Sequence, residues 1–493
     1  MASTLSVAVA AGDGIGPEIM AATLDLFQAA GVHERVAFRP VEMGAAVFAK
    51  GNSRGITDEA IRVVEDCGVL FKGPMETPKG GGGKSINVTA RKLWNTYANL
   101  RVFKSLPGVE TVYSKAGLTI NMAIVRENIE DTYGGVEHRL SQDTIQCKRL
   151  ITAPGCDQVH RFAFHTARAM GLTRVHCGHK ANIMKMTDGL FLDRFRRAAQ
   201  DFPEIESADV IVDALCMNLV VRPQTYQMVV LPNLQGDIVS DLCAGLVGGL
   251  GFAPSANIGN HMAIFEAVHG TAPDIAGRGV ANPTSLILSG LMMLRHLGLG
   301  REAAAIENAL LATLESGART GDFGDKASPA LGTAAFTRAI IDRLGQSPRT
   351  VPAAAAGAGS PFERGPRPTG QQVIRTFKNL VTQVVGCDVY LDSPLAPVSL
   401  AEEMQRACAD TPFRLTLISN RGTQVWPVGS VFTECVDYYR VRFELRDGVP
   451  AGTIGQSRAL ALLARIAEAF TVCSYELLRT FDGVKGYSMA QGQ

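Results

Sequence analysis

The chain has 493 residues, too many for one average domain, so two or three compact units are expected. It carries 48 Lys+Arg against 47 Asp+Glu, a balance that leaves no net field to draw nucleic acid or an acidic membrane. Its 10 cysteines include no C-x-x-C pair, which argues against a zinc site or a disulfide framework and suits a reducing compartment.

The opening "MASTLSVAVAAGDGIGPE" has no basic n-region and reads as a first strand, not a signal peptide. A glycine-rich turn at 12–16 follows, with Pro17 in a first helical turn. Short β-type runs then alternate with helical-period segments through the first 345 residues. Examples are "GVLFKGP" before "VTARKLWNTYA", "RVHCGH" before "DGLFLDRFRRAA", and "AIFEAVHG" before "NPTSLILSGLMMLRHLG". Such alternation predicts α/β layers around a largely parallel sheet. No stretch approaches the ~20 apolar residues of a membrane span, so no membrane partner and a cytoplasmic location are expected. Residues 346–368, rich in Pro, Gly, Ala and Ser, read as a linker. Beyond it, 369–493 returns to strands and helices as a small α+β domain of ferredoxin-like type, for oligomerisation or regulation.

Residues 78–92, "PKGGGGKSINVTARK", look at first like a nucleotide-phosphate loop. That loop reads G-x-x-x-x-G-K-[ST], and its first glycine falls here on Pro78, which lacks an N–H to offer phosphate. "GDGIG" likewise lacks the G-x-G-x-x-G spacing of a Rossmann fingerprint.

Four groups of residues carry chemistry. "SINVTARK…ANLR…VREN" places Ser85, Asn87, Arg91, Arg101 and Arg126 near element ends. Arginine grips carboxylates with paired hydrogen bonds, so a substrate with several carboxylates needs several arginines; ordinary surface arginines are the plainer alternative. "NLQGDIVSDLCAG" sets Asp237 and Asp241 four apart, on one helical face. Two like charges in apolar surroundings favour a hard cation, Mg²⁺ or Mn²⁺; a first-turn acid pair favoured by the helix dipole is the alternative. Asp213 in "VIVDAL" ends an apolar run where a strand finishes, and open α/β sheets place ligands at strand C-termini; a helix N-cap is the other reading. Residues 266–283, "EAVHGTAPDIAGRGVANP", form a long loop with His269, small residues for close backbone approach, and Asp274 to accept ribose hydroxyls.

Together these segments resemble the β-decarboxylating dehydrogenases of the isocitrate and 3-isopropylmalate dehydrogenase family, over residues 5–345. "GDGIGPE", "RENIEDTYGG", "NIMKMTDG", "NLQGDIVSDL", "GGLGFAPSANIG" and "HGTAPDIAG" occur in the family's order. The resemblance implies a large doubly wound α/β domain from 1–98 and 248–345. It also implies a small domain, 99–247, with a dimer-forming clasp. Within "KSINVTARK", Ser85 and Asn87 match groups that contact the γ-carboxylate of isocitrate, with Gly80–Gly83 as a flexible lead-in. Arg91, Arg101 and Arg126 match the arginines for the remaining carboxylates. Tyr133 and Lys180 match the proton-transfer pair, and Asp213, Asp237 and Asp241 the metal ligands. Lys180 and Asp213 would reach the site from the neighbouring subunit, which implies a homodimer with shared sites; the βα alternation and the Ala- and Leu-rich helix at 457–470 separately suggest a higher oligomer through 369–493.

His269, Gly270, Thr271, Ala272, Asp274, Ile275 and Asn282 match the cofactor loop. NADP-dependent relatives place Lys-Tyr where this chain has Asp274-Ile275. A carboxylate there repels a 2′-phosphate, which implies NAD. The activity expected is NAD-dependent oxidative decarboxylation of isocitrate to 2-oxoglutarate, a tricarboxylic acid cycle reaction. The alternatives are a relative acting on homoisocitrate, 3-isopropylmalate or tartrate, or an NADP-dependent isocitrate dehydrogenase.

Overall fold

The computed structural model describes residues 4–77, 85–324, 328–357 and 380–488. Pro78, the run Gly80–Gly83 and residues 358–379 of the linker region lie outside the described residues. The chain divides into two compact units, Met1–Gly134 with Arg149–Pro368, and Gly135–Lys148 with Thr369–Gln493.

The first unit is built on a ten-stranded sheet. Its strands are β1 (Leu5–Ala10), β2 (Val36–Pro40), β3 (Val69–Lys72), β4 (Ala98–Lys104), β5 (Asn121–Glu127), β8 (Arg174–His179), β9 (Glu206–Ile211), β10 (Met228–Leu231), β11 (Pro254–Ile258) and β12 (Ala263–Ala267). The hairpin β6 (Glu137–Arg139) and β7 (Ile145–Cys147) belongs to the second unit. The sheet order is β2-β1-β3-β12-β11-β4-β5-β10-β8-β9. The expected parallel pairing holds on both flanks, but β12–β11, β11–β4 and β4–β5 are antiparallel. The tight connection from Ile258 to Ala263 explains one reversal, because a short turn can join only antiparallel strands. Helices cover the sheet, and apolar runs such as β3 and β12 are buried along their whole length. Among the described residues no helix is long and apolar enough to cross a membrane.

The second unit holds a six-stranded antiparallel sheet. Its strands are β13 (Thr382–Asp392), β14 (Phe413–Asn420), β15 (Thr423–Trp426), β16 (Tyr438–Leu445), β17 (Thr471–Phe481) and β18 (Val484–Lys485), in the order β15-β14-β16-β13-β17-β18. Helices Pro397–Ala407 and Gln456–Ala467 follow β13 and β16, which is the split βαβ arrangement with an added β14–β15 hairpin. Cys387, Val389 and Leu391 alternate into a core with Leu400, Met404, Leu462 and Ile466. Asp388, on the other face, takes hydrogen bonds from Arg442 Nε at 2.7 Å and Arg440 Nε at 2.8 Å. The β6–β7 hairpin joins this unit through Ser141 Oγ to Asp437 Oδ1 at 3.1 Å and Lys148 to Glu476 at 3.0 Å.

Candidate functional site

The first unit holds a cleft of about 700 Å³ at the middle of its sheet, lined by Asn87, Arg91, Arg101, Glu266 and the run His269–Pro273. Strand register builds its floor. Lys72 at the end of β3 stands opposite Glu266 on β12, and Arg101 on β4 stands opposite Ser255 on β11. Lys72 Nζ lies 2.5 Å from Glu266 Oε2, while Arg91 and Asn257 donate to Glu266 Oε1 at 2.7 and 2.8 Å. Burial pushes the Glu266 carboxyl up, but Lys72 and Arg91 outweigh burial and hold it well below the usual carboxylate range. Burial likewise lowers the Lys72 ammonium, against the pull of Glu266. A buried carboxylate thus anchors Arg91.

Asn87 sits in the helix Ile86–Leu93, whose N-cap is Ser85, with the Ser85 Oγ accepting from Val88 N at 3.5 Å. Asn87 Oδ1 accepts from Lys72 Nζ at 2.8 Å, which leaves the amide nitrogen of Asn87 to donate into the cleft. Ser85 Oγ is 3.1 Å from Thr77 Oγ1.

Arg101 and Arg126 are buried and converge on the helix Asn233–Leu246. Arg101 NH1 donates to Ser240 Oγ at 2.6 Å and to Asp241 Oδ1 at 3.4 Å, and its NH2 lies 3.5 Å from Asp237 Oδ1. Arg126 NH1 donates to Asp237 Oδ1, and its guanidinium stacks 4.8 Å from the Tyr133 ring centroid. The Tyr133 hydroxyl donates to Asp237 Oδ2 at 2.6 Å. Burial, then Arg126, lowers Arg101 to about 10. Burial raises the Tyr133 phenol despite Arg126, so it stays protonated at neutral pH. Burial pushes Asp237 up, yet Arg126 and Arg101 hold it below its ordinary value; Asp241 is raised by burial and by Asp237. Asp237 and Asp241 lie inside their helix, with no acid in its first turn, so the dipole reading of the pair falls.

The expected third acid is not with them. Asp213 lies in the first turn of the helix Val212–Val221, just after β9, and its carboxylate pairs with Lys180 at the end of β8. Among the described residues no three His, Cys, Asp or Glu side chains are grouped to hold a metal. Asp237 and Asp241 do fit Mg²⁺ or Mn²⁺ as a pair of hard oxygen donors one helical turn apart, an incomplete set that further ligands must finish.

The cofactor loop is held from behind by the first turn of the chain. Ile15 N donates to Thr271 O at 2.9 Å. Gly14 has φ +60°, and a Cβ there would lie 2.0 Å from the same carbonyl. Asp13 accepts from Ala45 N at 3.0 Å and Glu76 N at 2.9 Å. Glu18 accepts from Gly279 N and Ala281 N, both at 3.0 Å. His269 Nδ1 contacts Gly270 O at 3.0 Å, while its Nε2 is buried with no partner among the described residues. Asp274 is exposed in the turn Pro273–Ile275, Ile275 packs on the core, and Asn282 donates to Asp322 at 3.0 Å.

Sequence reasoning missed Lys72, Glu266, Asp13, Glu18 and Arg149. Arg149 Nε donates to Asp131 Oδ1 at 2.5 Å and its NH1 to Asp188 Oδ1 at 2.6 Å, both acids being fully buried. Asp131 also accepts from Leu234 N at 3.0 Å, and Asp188 from Lys180 N at 2.7 Å and Gln235 at 3.0 Å. One arginine therefore ties together the segments that carry Tyr133, Lys180 and Asp237. The available signal was a charge at the end of an apolar strand, as in "VLFK" and "AIFEA".

Comparison with known proteins gives the family. Residues 6–342 match the isocitrate/isopropylmalate dehydrogenase family and 382–493 the bacterial isocitrate dehydrogenase C-terminal domain. The chain is similar to "Isocitrate dehydrogenase [NADP]" of Thermus thermophilus, 45% identical over 99% of this chain and 96% of that protein. It is similar to the Rickettsia bellii protein of the same name, 36% identical over 100% of both. "Isocitrate dehydrogenase [NAD] subunit 2, mitochondrial" of Schizosaccharomyces pombe is 44% identical over 69% of this chain and 87% of that protein. The crystal structure of a Thermus thermophilus protein superposes with TM-score 0.92 at 44% identity, covering 99% of this chain and 96% of that one. With buried arginines, a tyrosine on a helical aspartate and both regions matched, the chain belongs to the isocitrate/isopropylmalate dehydrogenase family.

Proposed function

We propose that this protein is an isocitrate dehydrogenase that uses NADP⁺, releasing 2-oxoglutarate, CO₂ and NADPH. The observation that carries the substrate is the convergence of Arg91 and Arg101 on one cleft, with Arg126 and a neutral tyrosine joined to Arg101 through Asp237. Three guanidinium groups suit a tricarboxylate, and the donors of Ser85 and Asn87 suit its γ-carboxylate better than an isopropyl group. NADP⁺ leads because relatives aligned over the whole chain bear that name. Asp274 favours NAD⁺ as the second reading, through like-charge repulsion of a 2′-phosphate. That residue is exposed without a side-chain partner among the described residues, and the exposed Arg278 on the same loop can offset it.

The arginines hold the carboxylates and keep the reacting carbon fixed. Tyr133, kept protonated by burial, delivers a proton to the α-carbon after CO₂ leaves. Asp237 and Asp241, with Asp213 of the partner subunit, would hold Mg²⁺ or Mn²⁺. Such an ion supplies Lewis-acid polarisation of the hydroxyl and then the carbonyl. The partner's Lys180 relays the hydroxyl proton away.

The same placement supports a homodimer. Lys180 pairs with Asp213, whereas Tyr133 bonds to Asp237, and no hydrogen bond or ion pair among the described residues joins the two pairs. Around both groups apolar side chains face solvent, including Met217 at 59%, Val221 at 64% and Ile238 at 61% exposure. Val431 and Phe432, also exposed, support further assembly through the second unit.

The test is initial rates on isocitrate with NADP⁺ and NAD⁺, with and without Mn²⁺. Faster turnover of 3-isopropylmalate or homoisocitrate overturns the substrate; a higher kcat/KM with NAD⁺ restores the second cofactor reading. Mixing inactive Tyr133→Phe and Lys180→Met subunits should recover about a quarter of the activity if sites are shared in a symmetric dimer. No recovery sinks the shared site.

A further inference from the structure

One ionic cluster of the first unit stands outside the cleft lining. Arg149 bridges two fully buried acids, Asp131 and Asp188. Asp131 also holds backbone: its Oδ1 accepts from Thr132 N at 2.8 Å and its Oδ2 from Leu234 N at 3.0 Å. Asp188 does the same, its Oδ2 accepting from Lys180 N at 2.7 Å and from the Gln235 side chain at 3.0 Å. The groups so held belong to the proton-transfer residues or lie next to them. Thr132 opens the short turn Thr132–Gly134 that carries Tyr133, and Lys180 follows directly on β8. Leu234 and Gln235 lie in the first turn of the helix that carries Asp237, which accepts from the Tyr133 hydroxyl.

Two features mark this cluster as more than packing. One arginine faces two carboxylates, and among the described residues neither acid has a second cationic partner. A buried ionic cluster of unequal charge is a poor source of stability, because desolvation of each ion opposes the pairing. Asp131 also holds φ +66°, a backbone conformation that side chains other than glycine rarely adopt. Such a residue persists only where its surroundings over-determine it, and residues of this kind cluster at active sites.

We propose that Arg149 is a positioning residue for two active sites of the dimer at once. Through Asp131 it sets Tyr133 in the site of its own chain. Through Asp188 it sets the backbone of Lys180, which serves the neighbouring chain's site, and this half rests on the shared site proposed above. Arg149 touches no reacting atom; it fixes the segments from which two proton-transfer groups extend. A misplacement of about 1 Å at such a group costs roughly a hundredfold in rate. Among the described residues Arg91, Arg101 and Arg126 make no hydrogen bond to Arg149, Asp131 or Asp188, so kcat, not the KM for isocitrate, carries the effect.

Hybrid dimers separate the two arms. Tyr133→Phe and Lys180→Met chains, mixed in equal amounts, form hybrids with one working site. That site takes Tyr133 from the Lys180→Met chain and Lys180 from the Tyr133→Phe chain. Arg149→Met is added to one chain or to the other, and kcat on isocitrate is measured per hybrid. Hybrids are counted by native mass spectrometry, so that weaker assembly is not read as slower turnover. Expected from either placement is a loss of about ten- to a hundredfold in kcat, with the KM for isocitrate within about twofold. Arg149→Lys keeps the charge without the fork and should show a smaller loss of the same kind; it carries the test where Arg149→Met does not fold. Undiminished kcat from either placement, or a loss carried by KM alone, overturns the proposal and leaves the shared site standing. No recovery in the parent mixture overturns the shared site itself, and with it the role of Arg149 toward the neighbouring chain.

Discussion

Glu266→Gln tests whether the buried cluster beneath the cleft is organised by charge. The side chain keeps its size but loses the negative charge that faces Lys72 at 2.5 Å and Arg91 at 2.7 Å. All its neighbours are donors, Asn257 included, so the amide group of glutamine must turn one N–H toward another N–H. Removing one partner of a buried pair typically costs ~3–5 kcal/mol, and Glu266 at 3% exposure has no water to replace it. The sign of the pH dependence follows. The folded carboxyl is held below its unfolded value, about 4.3, so its stabilisation is complete above that pH and is lost as pH falls through the folded value. Urea unfolding should therefore show a deficit of ~3–5 kcal/mol at pH 7.5 that shrinks near pH 3. The KM for isocitrate should rise, because Arg91 loses its anchor. A deficit under about 1 kcal/mol at pH 7.5, or an equal deficit at both pH values, refutes the reasoning.

Other outcomes follow from the same contacts. Tyr133→Phe removes the hydroxyl that donates to Asp237 at 2.6 Å and should lower kcat by about 10²–10⁴-fold with the fold intact; normal turnover of the oxidised β-keto acid would exclude the role. Arg149→Met strands two fully buried acids, which should cost ~3–5 kcal/mol and lower kcat, with Arg149→Lys recovering part of both. Gly14→Ala meets both a positive φ and the Thr271 carbonyl, so thermal unfolding should show ~1–3 kcal/mol lost and kinetics a raised dinucleotide KM.

Much of the site was legible because its chemistry is local. Asp237 and Asp241 share a helical face by spacing alone, and the helix Asn233–Leu246 bears this out. The 266–283 loop announced itself by Gly and Pro between two strongly patterned segments, and it lines the cleft as far as Pro273. Asn87 and Arg91, one helical turn apart, face the cleft together. The cofactor is where local reading strained. Asp274 spoke for NAD, while full-length relatives carry the NADP name, and an exposed side chain on a loop is judged only with its neighbours in space.

By itself the sequence determined the α/β alternation, the family motifs and which short segments bear charge, since periods of 2 and 3.6 and turn residues act within a dozen positions. Only the tertiary structure decided which charges meet. Lys72 and Glu266 stand 194 positions apart and are paired by the register of β3 and β12. Register likewise sets Arg101 against Ser255, and the fold joins Arg149 to acids on two other segments. Pairing of this kind depends on strand order and burial, and no local pattern encodes either.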